Sequence, residues 1–287
     1  MQTILITGGN GFLGSHLVKA LLSQYTIIVL EKNTSNLFRL NDILSQIKVY
    51  DIDQVQPEVI FAENKIDIVI HTATIYGRNN EAVEDIVATN FSLPFSLFRL
   101  GVKYKAQAFI NTDTVLDRNV SPYALTKAQL REWLKLYAHE IKVVNMQLEH
   151  FYGPGGSMDN FISMMVQKML ANTPQIDLTL GEQKRDFLYF DDVVSAFVTV
   201  VASLDKLTEP FSTLQVASGE VVSIRSMVET IKRLTQSSSI LNFGAVAYRP
   251  NELMEPETDN SKIKKLGWNP SVMIEEGLKR TIAYIKK

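Results

Sequence analysis

The sequence predicts an α/β fold, a doubly wound parallel sheet with a smaller α/β lobe at its C-terminal end. Three observations predict it. Short apolar, β-branched runs alternate with helix-length amphipathic stretches through the first half of the chain. The first of those runs stops at a glycine-rich turn. The regular rhythm then breaks at the cluster Tyr152-Gly153-Pro154-Gly155-Gly156.

Taken in order, Thr3-Ile4-Leu5-Ile6-Thr7 reads as a buried strand, Gly8-Gly9-Asn10-Gly11 as a tight turn, and Phe12 onward as a helix. Residues 26–30 form the second strand, ending at Glu31, and 48–50 a short third strand that runs into Asp51-Ile52. A fourth strand is expected at 66–70, a long amphipathic helix at 81–100, a fifth strand at 107–111, a helix at 122–139 and a sixth strand at 142–148. Strands separated by helices in this way make a parallel sheet covered on both faces, with ligands at the carboxyl ends of the strands. The breaker cluster separates residues 1–150 from 151–287, parts of which are expected to cross back to the larger domain. In the second part the pattern gives a helix at 161–171, a loop at 181–190, and helices at 191–204, 223–235 and 275–285. No internal repeat or low-complexity segment is evident.

Composition narrows the function classes. The 287 residues are 46% apolar and 21% charged, ordinary for a globular chain, and the net charge of −2 leaves no footprint for nucleic acid or a membrane surface. There are no cysteines, which excludes disulfides and thiolate metal sites, and His16, His71, His139 and His150 lack metal-ligand spacing. With no apolar run of spanning length and no leader before the first strand, the expectation is a cytoplasmic protein without a metal.

Gly8, Gly11 and Gly14 are spaced G-x-x-G-x-x-G between the first strand and the first helix. The first glycine permits the turn, the second lets backbone approach a pyrophosphate, and the third lets helix pack on strand. The helix N-terminus then aims unpaired N–H groups at the phosphates. An ordinary strand–turn–helix corner can also be glycine-rich. Here Glu31 follows about twenty residues later, where an acid bonds the adenosine ribose, and the stretch reads as a dinucleotide site.

The second informative stretch is Ser121-Pro122-Tyr123-Ala124-Leu125-Thr126-Lys127. Ser121 suits an N-cap and Pro122 the first helical position, which puts Tyr123 and Lys127 on one helical face. A phenol titrates near pH 10 (about 10 in model peptides), so a lysine one turn away beside an oxidised nicotinamide is expected to bring it down for acid–base work. The alternative is a surface i,i+4 pair. Asn111-Thr112-Asp113-Thr114 ends the fifth strand, where a hydroxyl can bond the same substrate oxygen as Tyr123; strand-end capping is the alternative there.

Together the glycine turn, Glu31, Asp51-Ile52, the strand-end Thr112 and Tyr123-x-x-x-Lys127 resemble the extended short-chain dehydrogenase/reductases, the NAD-dependent epimerase/dehydratase family acting on nucleotide-linked sugars. The resemblance extends over essentially the whole chain through Tyr152-Gly153-Pro154-Gly155, Asn160-Phe161-Ile162, Arg185-Asp186-Phe187, Asp191-Asp192-Val193, Arg249-Pro250-Asn251-Glu252 and Leu266-Gly267-Trp268-Asn269-Pro270. It implies a Rossmann sheet, a catalytic set of Thr112, Tyr123 and Lys127, and a dinucleotide held by Gly8, Gly11, Phe12, Leu13, Gly14, Glu31, Lys32, Asp51, Ile52, Tyr123 and Lys127. It also implies a nucleotide-diphosphate sugar held by Asp113, Thr114, His150, Asn160, Arg185 and Arg249, two of them arginines converging on the diphosphate. A homodimer through the helices at 81–100 and 122–139 is implied as well.

The departures from the family pattern are informative. The 4,6-dehydratases carry Thr-Asp-Glu where this chain has Thr112-Asp113-Thr114, and a hydroxyl is a far weaker base than a carboxylate, so dehydration is disfavoured. The segment from Val115 to Pro122 is short, and His150 and Gln147 replace the usual asparagine and arginine. Phe109-Ile110-Asn111-Thr112-Asp113, Gln147-Leu148-Glu149-His150, Thr179-Leu180-Gly181-Glu182-Gln183 and Asn242-Phe243-Gly244-Ala245 resemble the CDP-abequose and CDP-paratose synthase group. That resemblance implies NAD(P)-dependent reduction of the C4 ketone of a nucleotide-linked 4-keto-(di)deoxyhexose in surface polysaccharide (O-antigen) deoxysugar biosynthesis. The alternatives are a 4-epimerase with tightly bound NAD and a non-catalytic NAD(P)-binding regulator. For the coenzyme, Glu31 favours NAD(H) by repelling a 2′-phosphate, whereas Lys32 and Asn33 can accept that phosphate and a biosynthetic reductase draws on NADP(H).

Overall fold

The β-branched run at the N-terminus becomes an interior strand of a parallel sheet, paired on both sides. The computed structural model describes residues 1–34, 36–249 and 252–287, which places Pro250 and Asn251 of the Arg249–Glu252 motif outside the described residues. The chain divides into two units, Met1–Leu148 with Phe197–Leu214, and Glu149–Ala196 with Gln215–Lys287.

The first unit is built from β1 (Thr3–Thr7), α1 (Phe12–Leu21), β2 (Thr26–Glu31), β3 (Lys48–Asp51), α2 (Pro57–Glu63), β4 (Ile68–His71), α3 (Val83–Val87), α4 (Leu93–Lys103), β5 (Ala108–Thr114), α5 (Pro122–Tyr137) and β6 (Lys142–Leu148). With β10 (Phe211–Val216) these strands make a seven-stranded sheet in the order β10-β6-β5-β4-β1-β2-β3. Pairing is parallel from β3 through β6, the doubly wound arrangement that the alternation of strands and helices requires. Strands buried on both faces need continuous apolar runs, and Leu5, Ile28, Val69, Phe109 and Val143 supply one face of the core, packed with Phe98, Leu130 and Leu134 from the helices. Register aligns the polar ends of the strands: Glu31 lies beside Asp51, and Thr7, His71, Asn111 and Asn145 line up across β1, β4, β5 and β6.

The second unit contains β7 (His150–Tyr152), α6 (Phe161–Leu170), β8 (Gln175–Leu178), β9 (Lys184–Tyr189), β11 (Val221–Ser223), α8 (Ile224–Thr235), β12 (Ile240–Phe243), α9 (Ser261–Lys264) and α10 (Ile274–Ile285), while α7 (Phe190–Ala202) begins in it and belongs to the first unit from Phe197 on. Its strands form a small sheet β11-β9-β7 and the pair β12-β8. Tyr152, Met165, Phe187, Val228 and Leu278 meet in its core.

The structure adds strands β7–β12, which the sequence reading did not place, β10 joining the main sheet, and it differs in three further places. The helix expected at 81–100 is interrupted by a π-helical turn at Ala88–Ser92 before α4, which begins next to Pro94. A proline has no N–H to continue the ladder, and a widened turn absorbs the missing bond. The loop expected at 181–190 is largely β9, whose charged start Lys184-Arg185-Asp186 hides its strand character; pairing with β7 and β11 decides it. The fifth strand runs on to Thr114, so Thr112 and Thr114 project from a regular strand and not from a loop.

Candidate active site

At the glycine turn the backbone is shaped so closely that side chains are excluded. Gly8 has φ +67°, and a Cβ there would lie 2.7 Å from the backbone of Ala73. A Cβ on Gly14 would lie 2.1 Å from the Gly8 carbonyl oxygen. The Gly11 amide donates to that same oxygen at 2.9 Å, and α1 starts at Gly11 with no side-chain cap on its first-turn N–H groups. Glu31 closes one side: its Oε2 accepts from the Asn10 amide at 2.8 Å and its Oε1 from the Lys32 amide at 3.1 Å. Asp51 accepts from the backbone of Asp53 and from Thr34, and those bonds hold its carboxyl below the usual range. An uncapped helix start facing a cradle that any Cβ would fill, with an acid at its rim, fits a dinucleotide. Lys32 is exposed at this rim, Phe12 lies edge-on to His16, Leu13 is buried and Ile52 packs on the core. Gly14→Ala is expected to abolish dinucleotide binding in a fluorescence titration. It should also lower the thermal midpoint by several degrees, because overpacking of this kind costs about 1–3 kcal/mol.

Further along the same unit, β5 and α5 bring Thr112, Thr114, Tyr123 and Lys127 together. Ser121 caps α5 by accepting from the Ala124 amide, with Pro122 in the first turn, so the helix starts where the sequence places it. Lys127 is 1% exposed, and its Nζ donates to the Thr112 carbonyl at 2.9 Å. The same Nζ lies 6.0 Å from the centre of the Tyr123 ring. Burial pushes the ammonium down to about 8, against the attraction of Asp113. Thr112 Oγ1 is buried without a hydrogen-bond partner, unusual for a hydroxyl and expected of one reserved for a ligand.

Tyr123 corrects one expectation. Its phenol is pushed up, not down: burial dominates, Tyr76 and Asp113 add to it, and Thr114 and Arg78 pull the other way. The ring packs against Tyr76 at 4.8 Å. The group is therefore a neutral phenol at neutral pH, the form that donates a proton.

Asp113 corrects another. Its carboxylate is buried and turned into the protein, accepting from Arg131 Nη1 and Asn145 Nδ2 at 2.7 Å each and from the Thr114 amide at 2.8 Å. Alternation along β5 sends Asp113 and Asn111 to one face and Thr112 and Thr114 to the other, so a substrate role for Asp113 gives way to a structural one. Asn111 in turn donates to Asn145, and His71 meets Thr7 at 2.8 Å with its imidazole held well below the usual range, first by burial and then by Lys127. Tyr76, Arg131 and Asn145 escaped the sequence reading. Arg131, one turn beyond Lys127, carried a periodic signal; Tyr76 carried none.

The remaining candidates lie in the second unit. Asn160 caps α6, accepting from the Ile162 amide at 3.1 Å, and donates to the Phe151 carbonyl at 3.2 Å. Arg185 is paired with Glu252 and donates to the carbonyls of Lys184 and Leu253 at 2.6 Å each. Arg185 thus ties down the segment after the 249–252 motif, while Arg249 is exposed. His150 opens β7 beside the buried Glu149, a motif residue to which the sequence alone assigns no role. Among the described residues no cluster of three or more His, Cys, Asp or Glu could hold a metal, and no helix is long and apolar enough to cross a membrane.

Residues 4–217 match the family model described as "NAD dependent epimerase/dehydratase family". Over 296 residues the chain is 32% identical to a CDP-abequose synthase of Salmonella muenchen, covering 98% of this chain and 97% of that one. Two solved structures share the fold. The UDP-glucose 4-epimerase of Thermotoga maritima with UDP-glucose aligns at TM-score 0.85 and 24% identity over 99% of both chains. The UDP-glucuronic acid 4-epimerase of Bacillus cereus with UDP-glucuronic acid and NAD aligns at 0.84 and 24%, again over 99% of both.

Proposed function

We propose, for a chain that belongs to the NAD dependent epimerase/dehydratase family, a reductase of the C4 ketone of a nucleotide-diphosphate-linked 4-keto-deoxyhexose, acting in the cytoplasm in deoxysugar biosynthesis. The observation that carries this reading is Thr114 beside Tyr123, at the point where elimination would need a carboxylate base, in a chain similar throughout its length to a CDP-abequose synthase.

Gly8, Gly11, Gly14, Glu31 and Asp51 would hold the dinucleotide, with Lys127 at its nicotinamide ribose. When bound and reduced, it supplies the hydride. The work of the chain itself is electrostatic. As negative charge grows on the sugar C4 oxygen, Tyr123 gives that oxygen its phenolic proton and Thr112 Oγ1 donates a second hydrogen bond. Donors aimed at developing charge are commonly the largest catalytic term, worth about 10²–10³ in rate for each one lost. Lys127, a buried cation behind both groups, favours the phenolate that remains. Thr114 has no basicity with which to take a C5 proton, so the sugar is reduced and not dehydrated.

Purified protein mixed with NADPH or NADH and a nucleotide-linked 4-keto-6-deoxyhexose is expected to consume reduced nicotinamide in stoichiometry with the sugar. NADPH is expected to be the faster coenzyme. Interconversion of two sugar nucleotides with no net consumption would instead identify a 4-epimerase. Binding of dinucleotide with no turnover of any sugar nucleotide would indicate a regulator.

A homodimer is part of the same reading. On one face of the first unit Phe91, Phe95, Trp133 and Tyr137 stack in a row, with Trp133 44% and Leu136 66% exposed. An aromatic strip of this kind on adjacent helices suits a second copy of the chain. Light scattering should give a dimer, and Trp133→Glu with Leu136→Glu a monomer; an unchanged mass in that variant would exclude this face.

A further inference from the structure

Glu149 is 3% exposed and only half satisfied. Its Oε1 accepts from Gln215 Nε2 at 2.9 Å, while its Oε2 is buried with no hydrogen-bond partner. His150 Nδ1, also buried and without a partner, lies 3.7 Å from that Oε2. Buried polar atoms are nearly always paired, and these two face one another across a gap that a small side-chain rotation closes. The other buried acid nearby does not compete, because Asp186 on β9 already accepts from the Ser218 and Gly219 amides at 2.9 and 2.8 Å. The His150 ring rests on Phe187 at 5.8 Å, and its side chain is 38% exposed. With Nδ1 buried, that exposure belongs to the edge carrying Nε2.

A carboxylate can only accept, so Nδ1 must be the donor, and a neutral imidazole then carries its lone pair on Nε2. We infer that Glu149 is a positioning residue: it fixes the Nδ1–H tautomer of His150 so that Nε2, at the open edge, accepts a hydrogen bond from a hydroxyl of the bound sugar. The hydroxyl rests on the nucleotide-sugar reading of the site; the tautomer does not. Gln215 sharpens the logic. Its Oε1 accepts from the Asp259 amide at 2.7 Å and its Nε2 also reaches the Glu257 carbonyl, so its orientation is set and it always presents a donor to position 149. In Glu149→Gln the amide oxygen must turn toward Gln215, leaving an NH₂ against His150 Nδ1 and forcing the opposite tautomer.

The test uses the full chain with ¹⁵N-labelled histidine, the His150 signals being assigned by their loss in His150→Asn. Long-range ¹H–¹⁵N spectra should show His150 as Nδ1–H in the wild-type protein and as Nε2–H in Glu149→Gln. Affinity for CDP-glucose should fall roughly three- to tenfold in Glu149→Gln, the range of one hydrogen bond, with affinity for CDP unchanged. A purely structural role for Glu149 would leave the tautomer where it was. An Nε2–H wild-type protein, an unchanged tautomer in the variant, or equal losses for CDP and CDP-glucose would overturn the inference. Should Glu149→Gln fail to fold, the wild-type tautomer and the CDP-glucose affinity of His150→Asn decide the same question. If the wild-type protein binds neither CDP-glucose nor UDP-glucose, the nucleotide-sugar reading fails, and the tautomer result still stands alone.

Discussion

Tyr123→Phe is expected to reduce turnover by at least about 10²–10³ while dinucleotide binding stays within a factor of about two. The substitution deletes one oxygen and leaves the ring on Tyr76, so the helix and the glycine turn, proposed to hold the dinucleotide, are untouched. What is lost is the phenolic proton donor placed beside Thr114 at the end of β5. Steady-state rates and a fluorescence titration on the same preparation separate the two effects. Near-wild-type turnover would remove Tyr123 from the chemistry, and lost dinucleotide binding would show a structural defect.

Lys127→Met is expected to be nearly as damaging, at least about a hundredfold in turnover, and yet not to destabilise the chain. Burial opposes the ammonium and pushes it down to about 8, so an apolar side chain of similar length is accommodated without that cost. The sign can be checked by pH. Between about 8 and the unfolded value near 10.5 the unfolded chain binds the extra proton, so stability rises with pH across that window, and this rise should be missing in Lys127→Met. Catalysis runs the other way: kcat/KM should fall as pH rises through about 8 and the cation is lost. Asp113 supports the cation, so Asp113→Asn should move that limb to lower pH.

What was legible in the sequence was whatever depends on local pattern. Thr3–Thr7 and the glycines are legible as strand, tight turn and helix start because each has its own residue chemistry. Tyr123 and Lys127 were legible because i,i+4 spacing on a capped helix fixes their common face. What depended on long-range pairing was not. The ion pair that Arg185 makes with Glu252, far along the chain, is of that kind. Asp113 looked like part of the strand-end site until β5 was seen to continue past it, with Arg131 and Asn145 waiting on the inner face. The upward direction of the Tyr123 shift was not legible for the same reason: the burial that causes it comes from the whole fold, and the i,i+4 spacing to Lys127 carries no sign of it.

Reduction at C4 leaves an isotopic mark on the sugar. The protein is incubated with reduced nicotinamide coenzyme deuterated at its C4 and a nucleotide-linked 4-keto-6-deoxyhexose, and the product sugar is analysed by proton NMR. One deuterium at the sugar C4 and stoichiometric oxidised coenzyme are expected. A product carrying no deuterium at C4, or two interconverting epimers with the coenzyme unconsumed, would contradict reduction at C4.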